Sequence, residues 1–258
     1  MRKPRRLVVV VLGLISLAAV VSLFPWPSLA QRYRFWRSFE FLRRNEFGRL
    51  EYRHRLTGMV LVKVTKIVDW SGSATRNRMA PKAEVVESFL IAKYEVTEQQ
   101  WLRVMEDLPD RHYARDPGRP SEFPVTAVPW NDCVRFVERC GLTLPTKEQW
   151  EFVCQSDPPL DEKDVLDRAW CFENSEWIPG RPFSRAPHPV GRKRANLHGC
   201  YDVLGNVSEW CSDKDLRGGD VYDESRDLLN CEVLNRQSDR LGGTENSGLR
   251  PVFVIQSR

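Results

Sequence analysis

From Gln155 to Arg258 the chain keeps no period long enough to build a helical or sheet layer. Pro, Gly, Asn and Asp cut it into short segments, several of them carrying Trp. A stretch of that length is not a passive loop. It lacks the sustained alternation of a sandwich or barrel, so it reads as a compact, loop-rich half packed on aromatics; nine Trp occur in 258 residues. The half before it is more regular. Met59 to Val64 is a β-rich run, residues 70–82 form a polar loop, and Val85 to Val96 alternates as a strand centred on Phe89-Leu90-Ile91. Three short helices follow. Thr97 with Gln100, and Thr146 with Gln149, make capping boxes, and Asn131 is the expected cap of the middle helix. Their inward stripes are Trp101, Val104, Met105 and Leu108; Cys133, Phe136, Val137 and Cys140; and Trp150, Val153 and Cys154.

Charge is uneven along the chain. Residues 1–6 carry Arg2, Lys3, Arg5 and Arg6 with no acid, and the remainder balances. That balance argues against nucleic acid as a partner. Leu7 to Phe24 is apolar except for Gly13, Ser16 and Ser22, and as a helix would reach about 27 Å, enough for a thin bilayer core. The charges before it hold the N-terminus in the cytoplasm, and Pro25 and Pro27 end it. Ser28-Leu29-Ala30 also has the small residues of a signal-peptidase site. The expectation is a single-pass membrane protein with its domain outside the cytoplasm, or a secreted one if the leader is cleaved. The organisation is then a basic tail (1–6), an anchor or signal (7–24), a juxtamembrane linker (25–58) and a domain (59–258). Between Arg32 and Arg55 the linker has eight Arg and three Glu among Tyr33, Phe35, Trp36, Phe39 and Phe41. Two readings stay open for it: a segment lying at the headgroup interface, or a solvated helical stalk.

The domain carries ordered blocks. Phe89-Leu90-Ile91-Ala92-Lys93-Tyr94-Glu95-Val96-Thr97 is followed by Pro124-Val125, Trp130-Asn131-Asp132 and Leu144-Pro145-Thr146-Lys147-Glu148-Gln149-Trp150-Glu151-Phe152. Then come Pro189-Val190-Gly191, Asn196, and Tyr201-Asp202-Val203-Leu204-Gly205-Asn206-Val207-Ser208-Glu209-Trp210. Arg217-Gly218-Gly219 and Gly248-Leu249-Arg250 close the set. In this order, from Met59 to the C-terminus, the chain resembles the formylglycine-generating enzyme (sulfatase-modifying factor) family. The resemblance implies an α+β fold, a C-type lectin-like variant with little regular secondary structure. It also implies a choice of roles. Some members oxidise a substrate cysteine with copper held by two cysteines, others are noncatalytic lectin-like modules, and one branch joins an iron-binding helical bundle.

Copper(I) is selected by soft thiolates. By the resemblance, the two cysteines should follow Gly219, where direct counting finds Asp223 and Leu228; only Cys231 lies beyond Gly219. A single thiol does not make the centre, so copper is not expected. The iron branch needs clustered histidines, and His54, His112, His188 and His198 are scattered. The role expected is that of a membrane-tethered pseudoenzyme, a scaffold or binding module for a protein, peptide or glycan. The alternative is a copper-dependent oxidase with a divergent site built around Cys231. For calcium, a hard ion served by oxygens, the resemblance places ligands at Asp202, Gly205, Val207 and Glu209, with a second site at Asn174 and Ser175. The competing reading is that Glu209 pairs with an arginine while the Gly205 turn positions Trp210.

All seven cysteines (Cys133, Cys140, Cys154, Cys171, Cys200, Cys211 and Cys231) lie in the domain, where an exported protein forms disulfides. Cys133 and Cys140 on one helix stand about 10.5 Å apart along its axis, too far to bridge. By the resemblance, Cys154 occupies a bridging position and Cys231 is its nearest partner; fully reduced, buried thiols are the other open reading. No C-x-x-C pair supports zinc.

Overall fold

The computed structural model describes residues 29–67, 85–109, 122–175, 185–229, 231, 236–237 and 244–255. The expected tail (1–6), the anchor (7–24) and the polar loop at 70–82 lie outside the described residues. Among the described residues no helix is long and apolar enough to cross a membrane.

Five strands form an antiparallel sheet: β1 (Phe39–Arg44), β2 (Leu50–His54), β3 (Val60–Ile67), β4 (Val85–Ala92) and β9 (Val252–Ile255), side by side in that order. Both faces are covered, so apolar side chains of neighbouring residues on β3 and β4 turn to opposite sides and are buried on each. Leu61, Leu90 and Phe253 point into one core, which also holds Trp101, Phe136 and Trp210. Val62, Val64, Phe89, Ile91 and Val252 point into a second core with Trp150, Val165, Val203 and Leu228. The C-terminal strand thus returns to pair with β4, so the irregular half is threaded between two strands of one sheet.

The helices are α1 (Leu29–Ser38), α2 (Glu98–Met105), α3 (Trp130–Cys140), α4 (Lys147–Cys154) and α5 (Glu162–Arg168). Both expected capping boxes form, at Thr97 with Gln100 and at Thr146 with Gln149. Asn131 is not the cap of α3. The cap is Pro129, which has no capping side chain; its carbonyl accepts from the amides of Asp132 and Cys133. The stripe of α3 is buried as expected, but α2 ends at Met105, leaving Leu108 beyond the helix and only half-buried. Helix α5 arises inside the stretch read as irregular, started by a capping box between Asp161 and Asp164.

The segment expected as a juxtamembrane linker takes part in the fold. Residues 29–58 contribute α1, β1 and β2, and Phe35, Phe39 and Tyr52 are buried in the first core. Most of its arginines project outward, while Phe35, Phe39 and Tyr52 turn inward and Tyr33 and Phe41 stay exposed. Glu51, fully buried on β2, accepts from Lys93 Nζ at 2.7 Å and from Arg43 Nε at 2.9 Å, locking the first hairpin to the end of β4. Phe35 stands edge-on to Tyr52 and packs against Phe39 and Phe253. Phe35→Ala is therefore expected to lower unfolding stability by about 3–5 kcal/mol in denaturant titration, whereas a solvated stalk would show no loss.

The remaining strands, β5 (Ser208–Trp210), β6 (Asp215–Arg217), β7 (Arg236–Gln237) and β8 (Ser247–Gly248), make a small second sheet in the order β7-β6-β5-β8, with β5 and β8 parallel. The described cysteines comprise one bridge, Cys154–Cys231, with Cα atoms 6.2 Å apart and a sequence separation of 77, and five buried free thiols. The pairing implied by the resemblance is present. Closing a loop of that length contributes roughly 4 kcal/mol in the chain-entropy account. Alkylation of the denatured chain is expected to add five labels before reduction and seven after it, read by intact mass; seven before reduction would remove the bridge.

Candidate functional site

The block from Tyr201 to Trp210 wraps around one buried arginine. Arg250, just before β9, donates through Nε to both oxygens of Glu209 at 2.9 and 3.0 Å, and through Nη2 to Oε1 at 2.6 Å. Its remaining donors reach the carbonyls of Ala92 (3.1 Å), Tyr201 (2.8 Å) and Asp202 (3.0 Å). Trp150 Nε1 on α4 donates to Glu209 Oε2 at 2.7 Å. Both partners are fully buried. Burial pushes the Glu209 carboxyl up even with the guanidinium beside it, while Glu209 outweighs burial at Arg250 and holds its charge.

The turn before Glu209 is set by backbone constraints. A Cβ on Gly205 would lie 2.2 Å from the Trp170 carbonyl oxygen, and its φ is +71°, so only glycine fits. Asn206, also at positive φ, accepts from the His188 amide and donates to Glu95 Oε2 at 2.6 Å. The Val207 amide donates to Glu95 Oε1. Glu95 is pushed well above the usual carboxylate range by burial, then by Asp202 and Glu209 nearby. Sequence reading placed Glu95 in a block but gave it no role; its position just after a buried strand was the available signal.

Of the expected calcium ligands, Asp202, Gly205, Val207 and Glu209 do share this turn. The oxygens of Glu209, however, are taken by Arg250 and Trp150, and the side chain of Asp202 is held by the Gly191 amide at 2.6 Å. The other oxygen of Asp202, Oδ1, is buried without a hydrogen-bond partner. At the second expected site, Asn174 accepts from the Cys171 amide and donates to the carbonyls of Leu166 and Ala169, while the Ser175 carbonyl accepts from Arg185. Among the described residues no group of three or more His, Cys, Asp or Glu side chains is placed to share an ion. The side-chain oxygens of Glu209 and Asn174 and the Ser175 carbonyl are already met by protein N–H groups, which makes these three poor calcium ligands as arranged.

The copper positions are filled by other chemistry. Asp223 is buried, and its Oδ2 accepts from the Asp220 amide at 2.8 Å, closing its own turn. Leu228 lies in a 3₁₀ turn (Ser225–Leu229) and is fully buried in the second core. Cys231 is engaged with Cys154. The free thiols are buried and raised by burial, Cys140, Cys171 and Cys200 to about 12, and Cys133 and Cys211 well above the usual thiol value. They are poor nucleophiles and poor metal ligands. On the outer side, Trp170 stacks on His188 at 3.7 Å with Lys193 Nζ 4.2 Å from its ring centre, and the exposed ring of Phe172 lies against Arg185.

With this geometry in view, comparison with known proteins places the chain. Residues 46–241 match the family described as the sulfatase-modifying factor enzyme 1-like domain, and the protein belongs to that family. It is 27% identical over 190 residues to the serine/threonine-protein kinase pkn1 of Chlamydia pneumoniae, covering 66% of this chain and 29% of that one. It is 32% identical over 114 residues to the formylglycine-generating enzyme of Streptomyces coelicolor (37% and 33% covered). It is 30% identical over 172 residues to the inactive C-alpha-formylglycine-generating enzyme 2 of Bos taurus (57% and 54% covered). The match spans 29% to 54% of those relatives' own lengths. Among solved structures, Treponema denticola variable protein 1 superposes with a TM-score of 0.57 at 19% identity, over 80% of this chain and 99% of that one. CarF does so at 0.54 and 18%, over 78% and 100%. These show the shared fold.

Asp202 gives the site a pH signature. Burial raises it from 3.8 to about 6, so the folded chain holds a proton that the unfolded chain has released. The contribution favouring the fold is complete below the ordinary aspartate value and is lost as pH rises through about 6. Asp202→Asn keeps an acceptor for Gly191 and suits the φ of +51°. In chelator-containing buffer it is expected to raise stability near neutral pH by up to about 3 kcal/mol and to leave acid stability unchanged, read by thermal unfolding across pH.

Proposed function

We propose that this protein is a noncatalytic member of the sulfatase-modifying factor family, tethered to a membrane by residues 7–24, with its domain outside the cytoplasm acting as a binding or scaffold module. The observation that carries the reading is the replacement of the copper thiolates. One counted position holds Leu228, which packs in the second core, and the other holds Asp223, whose carboxylate closes a turn. The remaining cysteine of that region is tied up with Cys154. A hydrophobic side chain and a hard carboxylate cannot replace a pair of soft donors. Similarity to a bovine relative named as inactive agrees with this. Arg250 supplies the positive charge beside Glu209, so the central turn keeps its shape without a metal at that carboxylate.

The ligand face in this reading is the surface that carries the exposed ring of Phe172 and the half-buried Trp170, His188 and Lys193. Flat rings with an adjacent cation suit a peptide or glycan presenting a carboxylate or carbonyl. The test is an aerobic assay of the full chain with a cysteine-containing peptide, with and without Cu(I). No aldehyde product and no stoichiometric copper are expected. Turnover that Cys231→Ser abolishes would establish the oxidase instead.

A further inference from the structure

The helix that follows the apolar run presents an unexpected face. Phe35 holds α1 to the first core, while Leu29, Tyr33 and Arg37, spaced four apart, form one outward ridge. Leu29 is 80% and Tyr33 68% exposed. The ridge continues into the turn after β2, because the Arg55 amide donates to the Ser38 carbonyl at 2.8 Å, which seats Arg55 and the 52%-exposed Leu56 at the end of the helix. Apolar side chains and arginines interleaved on a short amphipathic helix match what an anionic lipid interface binds, with rings and alkyl groups among the headgroups and guanidiniums on the phosphates.

Two further facts select lipid over a protein partner. Phe24, the last residue of the apolar run, is separated from Leu29 by five residue steps, no more than about 18 Å of fully extended chain. A membrane holding that run therefore lies within reach of the ridge. Residues 32–55 carry eight Arg against three Glu. Of those acids, Glu51 is buried with Lys93 and Arg43, Glu40 lies 3.8 Å from Arg53, and Glu46 is exposed, one acid against the six arginines outside those pairs. The surface left is cationic.

We propose that the ridge formed by Leu29, Tyr33, Arg37, Arg55 and Leu56 docks the folded domain onto an anionic phospholipid surface, so that α1 lies along the membrane from which the chain emerges. The domain is then held in a fixed orientation and does not swing on a free stalk. This rests on the reading that residues 7–24 insert in a bilayer. It goes beyond that reading, because a tether by itself sets no orientation.

The five free cysteines described are buried, so Tyr33→Cys provides an accessible thiol for an environment-sensitive fluorophore. The full chain is reconstituted in vesicles of phosphatidylcholine alone or with phosphatidylglycerol. A blue-shifted emission, quenched by lipid-borne quenchers, is expected in the anionic vesicles. High salt should reverse it, and Arg37→Glu with Arg55→Glu should abolish it. Identical emission in both lipids, from protein that resists carbonate extraction, overturns the docking and leaves the tether standing. Protein extracted by carbonate overturns the tether and the docking with it. A shift that survives the arginine reversals also overturns the proposal, since its charge recognition would be wrong.

Discussion

One ion pair ties the irregular half of this protein to its sheet. Arg250 sits between the last two strands, Glu209 lies on β5, and together they draw in Trp150 from α4, the end of β4 at Ala92 and the loop at Tyr201 and Asp202. A guanidinium has a planar fork of donors, and here that fork meets a carboxylate on one side and three backbone carbonyls on the other. The pair has little to offer as net stability, because desolvating both charges offsets most of their attraction. Its effect is on position. Leaving either charge alone in a dry interior is costly, so alternative arrangements of the loops are disfavoured.

The same economy of regular structure shapes the segment where the two thiolates were expected. The copper positions lie on a turn and a 3₁₀ helix that the fold needs for shape, and Asp223 and Leu228 satisfy those needs by capping and by filling the second core. Neither demands a thiolate. Where the calcium ligands were expected, protein donors meet the oxygens of Glu209 and Asn174. At those side chains the scaffold stands on hydrogen bonds internal to the chain.

Several features were readable from the residues alone. The capping boxes at Thr97 and Thr146, the buried stripe of α3 and the strands around Val62 and Leu90 follow from local pattern. The Gly205 turn and the Cys154–Cys231 bridge were reached through the resemblance and stand in the structure. Other features were hidden because their cause is distant in sequence. Residues 29–58 read as a linker from composition, since nothing local states that Phe35 meets Phe253. Asn131 looked like a cap, yet the backbone enters α3 two residues earlier, with Pro129 as the cap and Trp130 the first helical residue.

The sequence by itself determined the family, the helix starts at Thr97 and Thr146, the turn at Gly205 and the presence of a single cysteine beyond Gly219, because each is written in residue identity at short range. Tertiary structure alone decided that Glu209 answers to Arg250, that Glu95, Asp202 and Glu209 share one dry interior, and that the arginine-rich N-terminal segment completes the sheet. Those outcomes depend on which groups lose water together, and that is settled only when chain segments far apart in sequence close on the same core.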